Sequence, residues 1–536
     1  MLTLDPTPAL SDFDRQVFEI VVPPDHYLRK VAATVDFERF RPRLAEAYSL
    51  GMGRPSVTPV RMLKILFLRF HYKLSDRQVI ARATTDMAFR WFLDWPVGYA
   101  VPHHTGGTYF RKRIGVERFA QIFQELVTQA REAGLVKDRL RLKDATHMIA
   151  DVANVQPLQL AAQVRERLLN AAQPLFADWV AEQRVHIERL RQTTAEFADD
   201  ERLAARIEQV RDLAVQLRAR LGALPTTPET NNEQTQTQTQ TQTQTRLRRA
   251  LELVDKWLAD RAPEAQDRLA SAVDPEARVG MHGGFFVGYL LDMTIDPDSE
   301  LITAVNVLPG NGAEAADAVT LIQQEESAQG NDVAGISIDG AGYNGPVLRE
   351  LTDPEGLNLD VTVPPPTLAP RTTFGPERFS LKVIDERSSE VTCPAGQTTR
   401  SRSRTRQKTG DRFQFRNKQC AGCPLRTECL ENPASPRGRV VIKNDYEADY
   451  KNVHDKAQTP EYRDTRRTHP KIERKLGEVV RHHGARRASF RGLAKVLTQA
   501  LLTALAVNVK RMIKLLNANV LPGLAGGSVR AELAAT

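Results

Sequence analysis

VAGISIDGAGY, Val333 to Tyr343, is the stretch on which the reading of this chain depends. Val333, Ile336 and Ile338 are β-formers in a run short enough for a buried strand. Asp339 follows at its carboxyl end, and Gly340 and Gly342 permit a sharp turn behind it. An acid at the mouth of a buried strand stands where ligands gather in α/β sheets. The alternative is a turn aspartate bonded to its own backbone. The choice between them depends on whether other acids converge on Asp339.

Two stretches supply such acids. Upstream, RLRLKDATHMIADVA places Leu140, Leu142, Ala145 and Met148 in a strand-and-turn pattern. Asp144 sits inside it, where an unpaired charge is costly, with Thr146, His147 and Asp151 close in sequence. Downstream, YRDTRRTHPKIERKLGEVVRHHGARR is densely basic, with Arg463, Arg466, Arg467, Lys471, Arg474, Lys475, Arg481, Arg486 and Arg487. If Pro470 opens a helix, Ile472, Leu476 and Val479 or Val480 form its buried stripe, with Glu473 in the first turn. Glu478 competes with Glu473, but the two lie about 140° apart around a helix and cannot face one site. The plainer alternatives are a backbone-bonded Asp144 and a surface ion pair for Glu473 with Arg474, Lys475 or Arg467.

Between these acids the texture is α/β. GGFFVGYLLDMTID and LITAVNVLPGN read as neighbouring strands joined by DPDSE, and Ala313 to Gln323 reads as a helix. That order predicts a mixed sheet flanked by helices. Ahead of the first acid the pattern is helical from Thr58, with Ser75 as an N-cap and Gly134 as a C-cap. Arg77, Arg82 and Arg90 on exposed faces would suit a helix-turn-helix reader of DNA, or an ordinary bundle with solvated arginines. Residues 158–222 form a long helical insertion in which Leu203, Ile207, Val210, Ala214, Leu217 and Leu221 make a short seam. The alternating Gln/Thr tract from Gln234 to Thr245 reads as a disordered linker. Helix resumes at Arg246.

All four cysteines fall between residues 393 and 429. Cys420-x-x-Cys423 is a chelating hairpin, and Cys393 and Cys429 would complete a closed, structural thiolate site for Zn2+. The alternative is a set of buried free thiols. The basic run around Arg402, Arg404 and Arg406 could hold phosphates or lie on a solvated hairpin.

The chain has 536 residues, of which 41% are hydrophobic, enough for several cores. Lys and Arg exceed Asp and Glu by 74 to 66, an excess that permits a polyanion partner without requiring one. No run of about 18 apolar residues suggests a membrane span, and the acidic, proline-containing N-terminus lacks the pattern of a signal peptide. The expectation is a cytoplasmic, nucleoid-associated protein.

Asp144, Asp339 and Glu473 together would need counter-charge to stay ionised. Two Mg2+ or Mn2+ ions about 4 Å apart would supply it and clamp a phosphodiester for in-line attack. At this point the chain resembles the bacterial insertion-sequence transposases of the DDE type. KDATHMIADVA and SIDGAGYNGPVLREL are similar to the family's two aspartate motifs. HPKIERKLGEVVRHHGARRASFRGLAKVLTQALLTALAVNVKRM resembles its glutamate helix and the helix that follows. GRPSVTPVRMLKILFLRFHYKLSDRQVIARATTDMAFRWFL looks like its N-terminal (InsH-type) domain, and CPAG with CAGCPLRTEC is similar to a cysteine insertion of one branch.

The resemblance implies an RNase-H-like (retroviral-integrase-like) core. Asp144, Asp339 and Glu473 would be its catalytic, metal-binding residues, activating water and then a DNA 3′-hydroxyl. It also implies double-stranded DNA as partner and a homodimer or larger assembly. DNA contacts would come from Arg77, Arg82, Arg111, Arg402, Arg404, Arg406, Arg467, Arg474, Arg481, Arg486 and Arg487. Relatives often carry an arginine four before the glutamate and a lysine seven after it. This chain has His469 and Val480 there, for which Arg467 and Arg481 are the candidate substitutes.

The implied division is a helical N-terminal DNA-binding domain (1–135) and the first part of the core (136–157). The helical insertion (158–265), the central core (266–355) and a proline-rich loop with the cysteine insertion (356–445) follow. C-terminal catalytic helices (446–518) and a disordered tail (519–536) complete the chain.

Overall fold

The computed structural model describes residues 7–49, 51, 55–224, 234–367, 372–385 and 388–518; the tail expected to be disordered lies outside them. At the centre is one mixed sheet. Its strands are β1 (Arg141–Ile149), β2 (Arg278–Met281), β3 (Phe285–Ile295), β4 (Ile302–Pro309), β5 (Gly335–Ser337) and β6 (Asp360–Thr362). β3 and β4 form the expected antiparallel hairpin, and β2 extends the same sheet beside the start of β3. β1 pairs antiparallel with β3 on one side and parallel with β5 on the other, and β6 runs parallel to β5. The order from one edge is therefore β4, β3, β1, β5, β6.

Ahead of the sheet come short helices at Asp12–Val21 and Tyr27–Thr34. The VVPPDH segment between those two helices is the turn expected of it, and α1 (Pro59–His71), α2 (Asp76–Thr85) and α3 (Thr105–Glu132) follow. Ser75 caps α2 as expected: its hydroxyl accepts from the Gln78 amide at 3.2 Å, and Gln78 returns a bond to the Ser75 amide at 2.8 Å. Ser75→Ala is expected to cost about 1 kcal/mol, read as a lowered midpoint in chemical denaturation. Gly134 takes the left-handed conformation, φ +70°, that ends α3.

Expectations change for Arg90 and Arg111, whereas Arg82 is exposed as expected. Arg90 is buried and donates to the carbonyls of Thr84, Pro96 and Tyr99, so it is a core strut rather than a surface cation. Arg111 is bidentate on Asp76 at 3.0 and 2.6 Å and lies over the Phe490 ring, which removes it from the DNA candidates. Arg82 stacks on Tyr72 and Phe89 and pairs with Asp86. Backbone carbonyls thus satisfy Arg90, and acidic and aromatic neighbours satisfy Arg82 and Arg111.

The insertion is a helical unit with its own core: α4 (Pro157–Ala172), α5 (Ala177–Thr193), α6 (Asp199–Gly222) and α7 (Gln234–Ala259). Val164, Leu168, Val210, Leu217, Leu247, Val254 and Trp257 meet inside it. α7 corrects the linker reading, because the helix begins within the Gln/Thr tract rather than after it. Gln is a sound helix former, and the apolar stripe from Leu247 onward docks the helix and lets it propagate backwards.

α8 (Glu314–Gln329) and α9 (Gly345–Thr352) connect β4 to β5 and β5 to β6. The cysteine segment folds as two small three-stranded sheets. Then come α10 (Pro460–Thr468), α11 (Pro470–His483) and α12 (Leu493–Ala518). α12 is long and apolar enough to span a membrane, yet 83% of its apolar window is buried in the fold. It is the core helix the sequence suggested. Its Asn508 side chain exchanges two hydrogen bonds with the Ile302 backbone, at 2.8 and 2.7 Å. One continuous core joins the N-terminal helices, β1, β3, β4, α11 and α12.

Candidate metal centre

Parallel pairing sets the two aspartates side by side. β1 and β5 are registered with Leu142 opposite Ser337. Asp144 and Asp339 are each two residues farther on, so they reach the same level, one beside the other. Asp144 Oδ1 accepts from the Ala145 amide at 2.8 Å, and Asp339 Oδ1 accepts from the Ala341 amide at 3.1 Å in the glycine turn. The turn bond foreseen for Asp339 is therefore present, and it orients the carboxylate without consuming it.

A third acid joins them that sequence reasoning did not single out. Glu314, the first residue of α8, offers an oxygen that lies with those of Asp144 and Asp339 within 4.8 Å of one another. This is the one such cluster of three or more metal-ligand side chains among the described residues, and the three could hold a metal ion. Burial pushes Asp144 up to about 7, against the Ala145 amide and with help from the charges of Asp339 and Glu314. Acids at helix N-termini are ordinary, since the helix dipole favours them, so nothing in NGAEAADAV marked Glu314.

Lys143 points to the opposite face of β1. Its ammonium meets Asp292 at 3.0 Å and donates to the Glu314 carbonyl at 2.8 Å. Burial works against that charge, but Asp292 and Glu314 outweigh it and hold Lys143 above the usual lysine range. The lysine thus ties α8 to β1 directly behind the acids.

Glu473 is not in the cluster. It lies exposed in the first turn of α11 and makes no hydrogen bond or ion pair among the described residues. The expected ion pair is absent: Arg474 approaches Glu300 at 4.0 Å, Lys475 is buried on Glu478, and Arg467 pairs with Asp464. Glu478 is committed elsewhere, because Lys475 and Lys510 more than offset burial and hold it at about 2. α11 is anchored to the site by its start: His469 Nδ1 is 3.1 Å from the Ser337 hydroxyl, two residues before Asp339. Burial, with Arg466 adding to it, drops His469 to about 4, so the ring is neutral. Glu473 is one helical turn farther along on the same side. The proposed substitute cations are not the ones that approach. Arg467 points to solvent, whereas Arg466, which was not singled out, donates to the Ile338 carbonyl at 3.0 Å.

The remaining candidates divide. Arg77 is exposed beside His104, and Arg406, Arg481 and Arg487 are exposed without an acidic partner among the described residues. Arg402 and Arg404 pair with Asp411, and Arg404 also with Asp445, as in the solvated-hairpin alternative. Arg486 donates to the His147 carbonyl at 2.8 Å and helps pin the chain after α11 to β1. Cys393, Cys420, Cys423 and Cys429 are free and line one small space with Phe379, Phe415 and Arg439. Burial raises the Cys429 thiol, and the other three cysteines act on it in the same direction.

Comparison with known families agrees at both ends of the chain. Residues 16–113 match the model described as Transposase domain (DUF772), and residues 392–513 match Transposase DDE domain. The second match spans the cysteine segment, α11 with Glu473, and α12, and stops short of both aspartates. No curated protein and no solved structure matches the chain. Transposase domains imply DNA binding. Its N-terminal and C-terminal segments are thus both similar to transposase domains, which supports an insertion-sequence DDE transposase.

Proposed function

We propose that this transposase cuts DNA at the ends of its element and joins them to target DNA, using divalent cations held by Asp144, Asp339 and Glu473. The observation that carries the reading is the level pairing of Asp144 with Asp339 on adjacent parallel strands. The strand order β4, β3, β1, β5, β6, with one helix between β4 and β5, supports an RNase-H-like core.

The donor set fits Mg2+ or Mn2+. It is all oxygen, and Asp144, Asp339 and Glu314 crowd together with Lys143, 3.7 Å from Glu314, as a cation beside them. Bound there, two such ions would polarise the phosphodiester and lower the pKa of the attacking hydroxyl. The protein's own part is to fix the carboxylates: strand pairing holds the aspartates, and the His469–Ser337 contact with the Arg466–Ile338 contact sets where α11 begins. Glu314 supports the same site from the sheet's other flank, held through Lys143. Arg77, Arg406, Arg481 and Arg487 would contact DNA phosphates, and paired element ends require a dimer or larger assembly.

The cysteine segment would hold one structural Zn2+. Four thiols facing one space suit a soft-ligand tetrahedral site, and the ion would draw the sulfurs inward. Metal analysis of purified protein is expected to give about one zinc per chain, lost in Cys423→Ser; a metal-free native protein would refute this.

The function is tested with DNA carrying the sequences that flank the reading frame. Mg2+- or Mn2+-dependent cleavage followed by joined products is the expected result. Cut products that are never joined would reduce the protein to a nuclease. Binding without cutting would make it a DNA-binding relative that has lost its chemistry.

A further inference from the structure

The insertion carries a cleft that the site chemistry does not use. α4 and α7 lie side by side and open a cavity of about 820 Å3, lined among others by Gln163, Arg167, Asn170, Arg246 and Arg249. Glu166 also lines it, but that carboxylate is already shared between Arg165 at 3.5 Å and Arg184 at 3.2 Å. Arg246 and Arg249 are exposed and have no acidic partner among the described residues. Arg167 donates to the Ala272 carbonyl, which fixes its guanidinium at the rim beside Val273. Burial lowers the Arg167 pKa and Arg246 lowers it further, against the opposing charge of Asp274.

We propose that this cleft binds the sugar-phosphate backbone of DNA, so that the insertion is a second nucleic-acid contact remote from the acids. Fixed guanidinium groups in an open groove, with amide side chains from Gln163 and Asn170 beside them, suit phosphate oxygens. The groove offers no aromatic side chain on which a base could stack, so the contact reads backbone rather than sequence. The assignment of DNA as the polyanion rests on the transposase reading.

The test measures DNA affinity of the full-length protein against salt concentration, in Ca2+ so that binding is read without turnover. Each phosphate contact contributes about 0.9 to the slope of log affinity against log salt. Arg246→Glu/Arg249→Glu is expected to lower that slope by about 2 and to weaken binding at least tenfold near 100 mM salt. Arg189→Glu/Arg191→Glu, an equal charge reversal at two exposed α5 positions outside the cleft, is expected to leave the slope within error. If the double variant behaves like the native protein while native binding is salt-dependent, the cleft assignment fails and the transposase reading stands. If the native protein shows no salt-dependent DNA binding, both fail. Displacement of DNA by inorganic phosphate beyond that of chloride at equal ionic strength would mark a small-anion pocket and overturn the assignment.

Discussion

Asp144→Asn and Asp339→Asn are each expected to lower metal-dependent DNA cleavage by at least about 10^3-fold while leaving DNA binding intact. Removing one carboxylate would remove a ligand from the proposed site, whose ion would supply several kcal/mol of transition-state stabilisation, and about 4 kcal/mol corresponds to that factor. Asparagine keeps the shape and one oxygen, so neither strand nor turn should be lost. The two helix-borne glutamates separate the possible ligand sets. Glu473→Gln is expected to match the aspartate variants. Glu314→Gln is expected to lose about 10–100-fold, the range of a group that supports a metal site without being one of its principal ligands. If Glu314→Gln is silent, the contact among Asp144, Asp339 and Glu314 is only structural. If Glu473→Gln is silent and Glu314→Gln is dead, Glu314 replaces Glu473 as the third ligand.

The largest expected loss of stability lies behind the site, at Glu325. Glu325 and Arg141 are both fully buried, and their bonds run from 2.6 to 3.0 Å. Arg131 adds a contact at 2.8 Å. Glu325→Ala would leave Arg141 charged in the interior beside β5, a loss expected to cost about 3–5 kcal/mol. Burial raises the Glu325 pKa, but Arg141 outweighs it and holds the group below the usual glutamate range. Its contribution is therefore complete above that range and disappears as pH falls through the depressed value. Denaturant titration of native and variant protein at neutral pH checks the first expectation, and convergence of the two curves in acid checks the second. Equal midpoints at neutral pH would refute both.

The elements that carry the aspartates were legible because short apolar runs ending in an acid and glycines have few other solutions. The 285–309 hairpin and α12 were equally plain from alternation and continuous apolarity. Glu314 was not, since an acid in a first helical turn is ordinary and only the crossover from β4 brings it beside Asp144. Arg90 and Arg111 read as surface cations because a linear pattern cannot show Asp76 or the carbonyls of Pro96 and Tyr99 arriving to meet them. The Gln/Thr tract failed for a related reason: its own composition resists order, and docking of the residues after it decides the outcome. Arg466 was overshadowed by Arg467, its neighbour, because a shift of one residue turns a helix by about 100°.

α12 fills the gap between the N-terminal helices and the sheet, and it follows every strand of that sheet in the chain. Until it emerges, Phe67, Phe123, Met293 and Val305 have no lid, although the codons for both aspartates have long been translated. A chain truncated before Leu493 thus carries the paired acids on a sheet that cannot close its core.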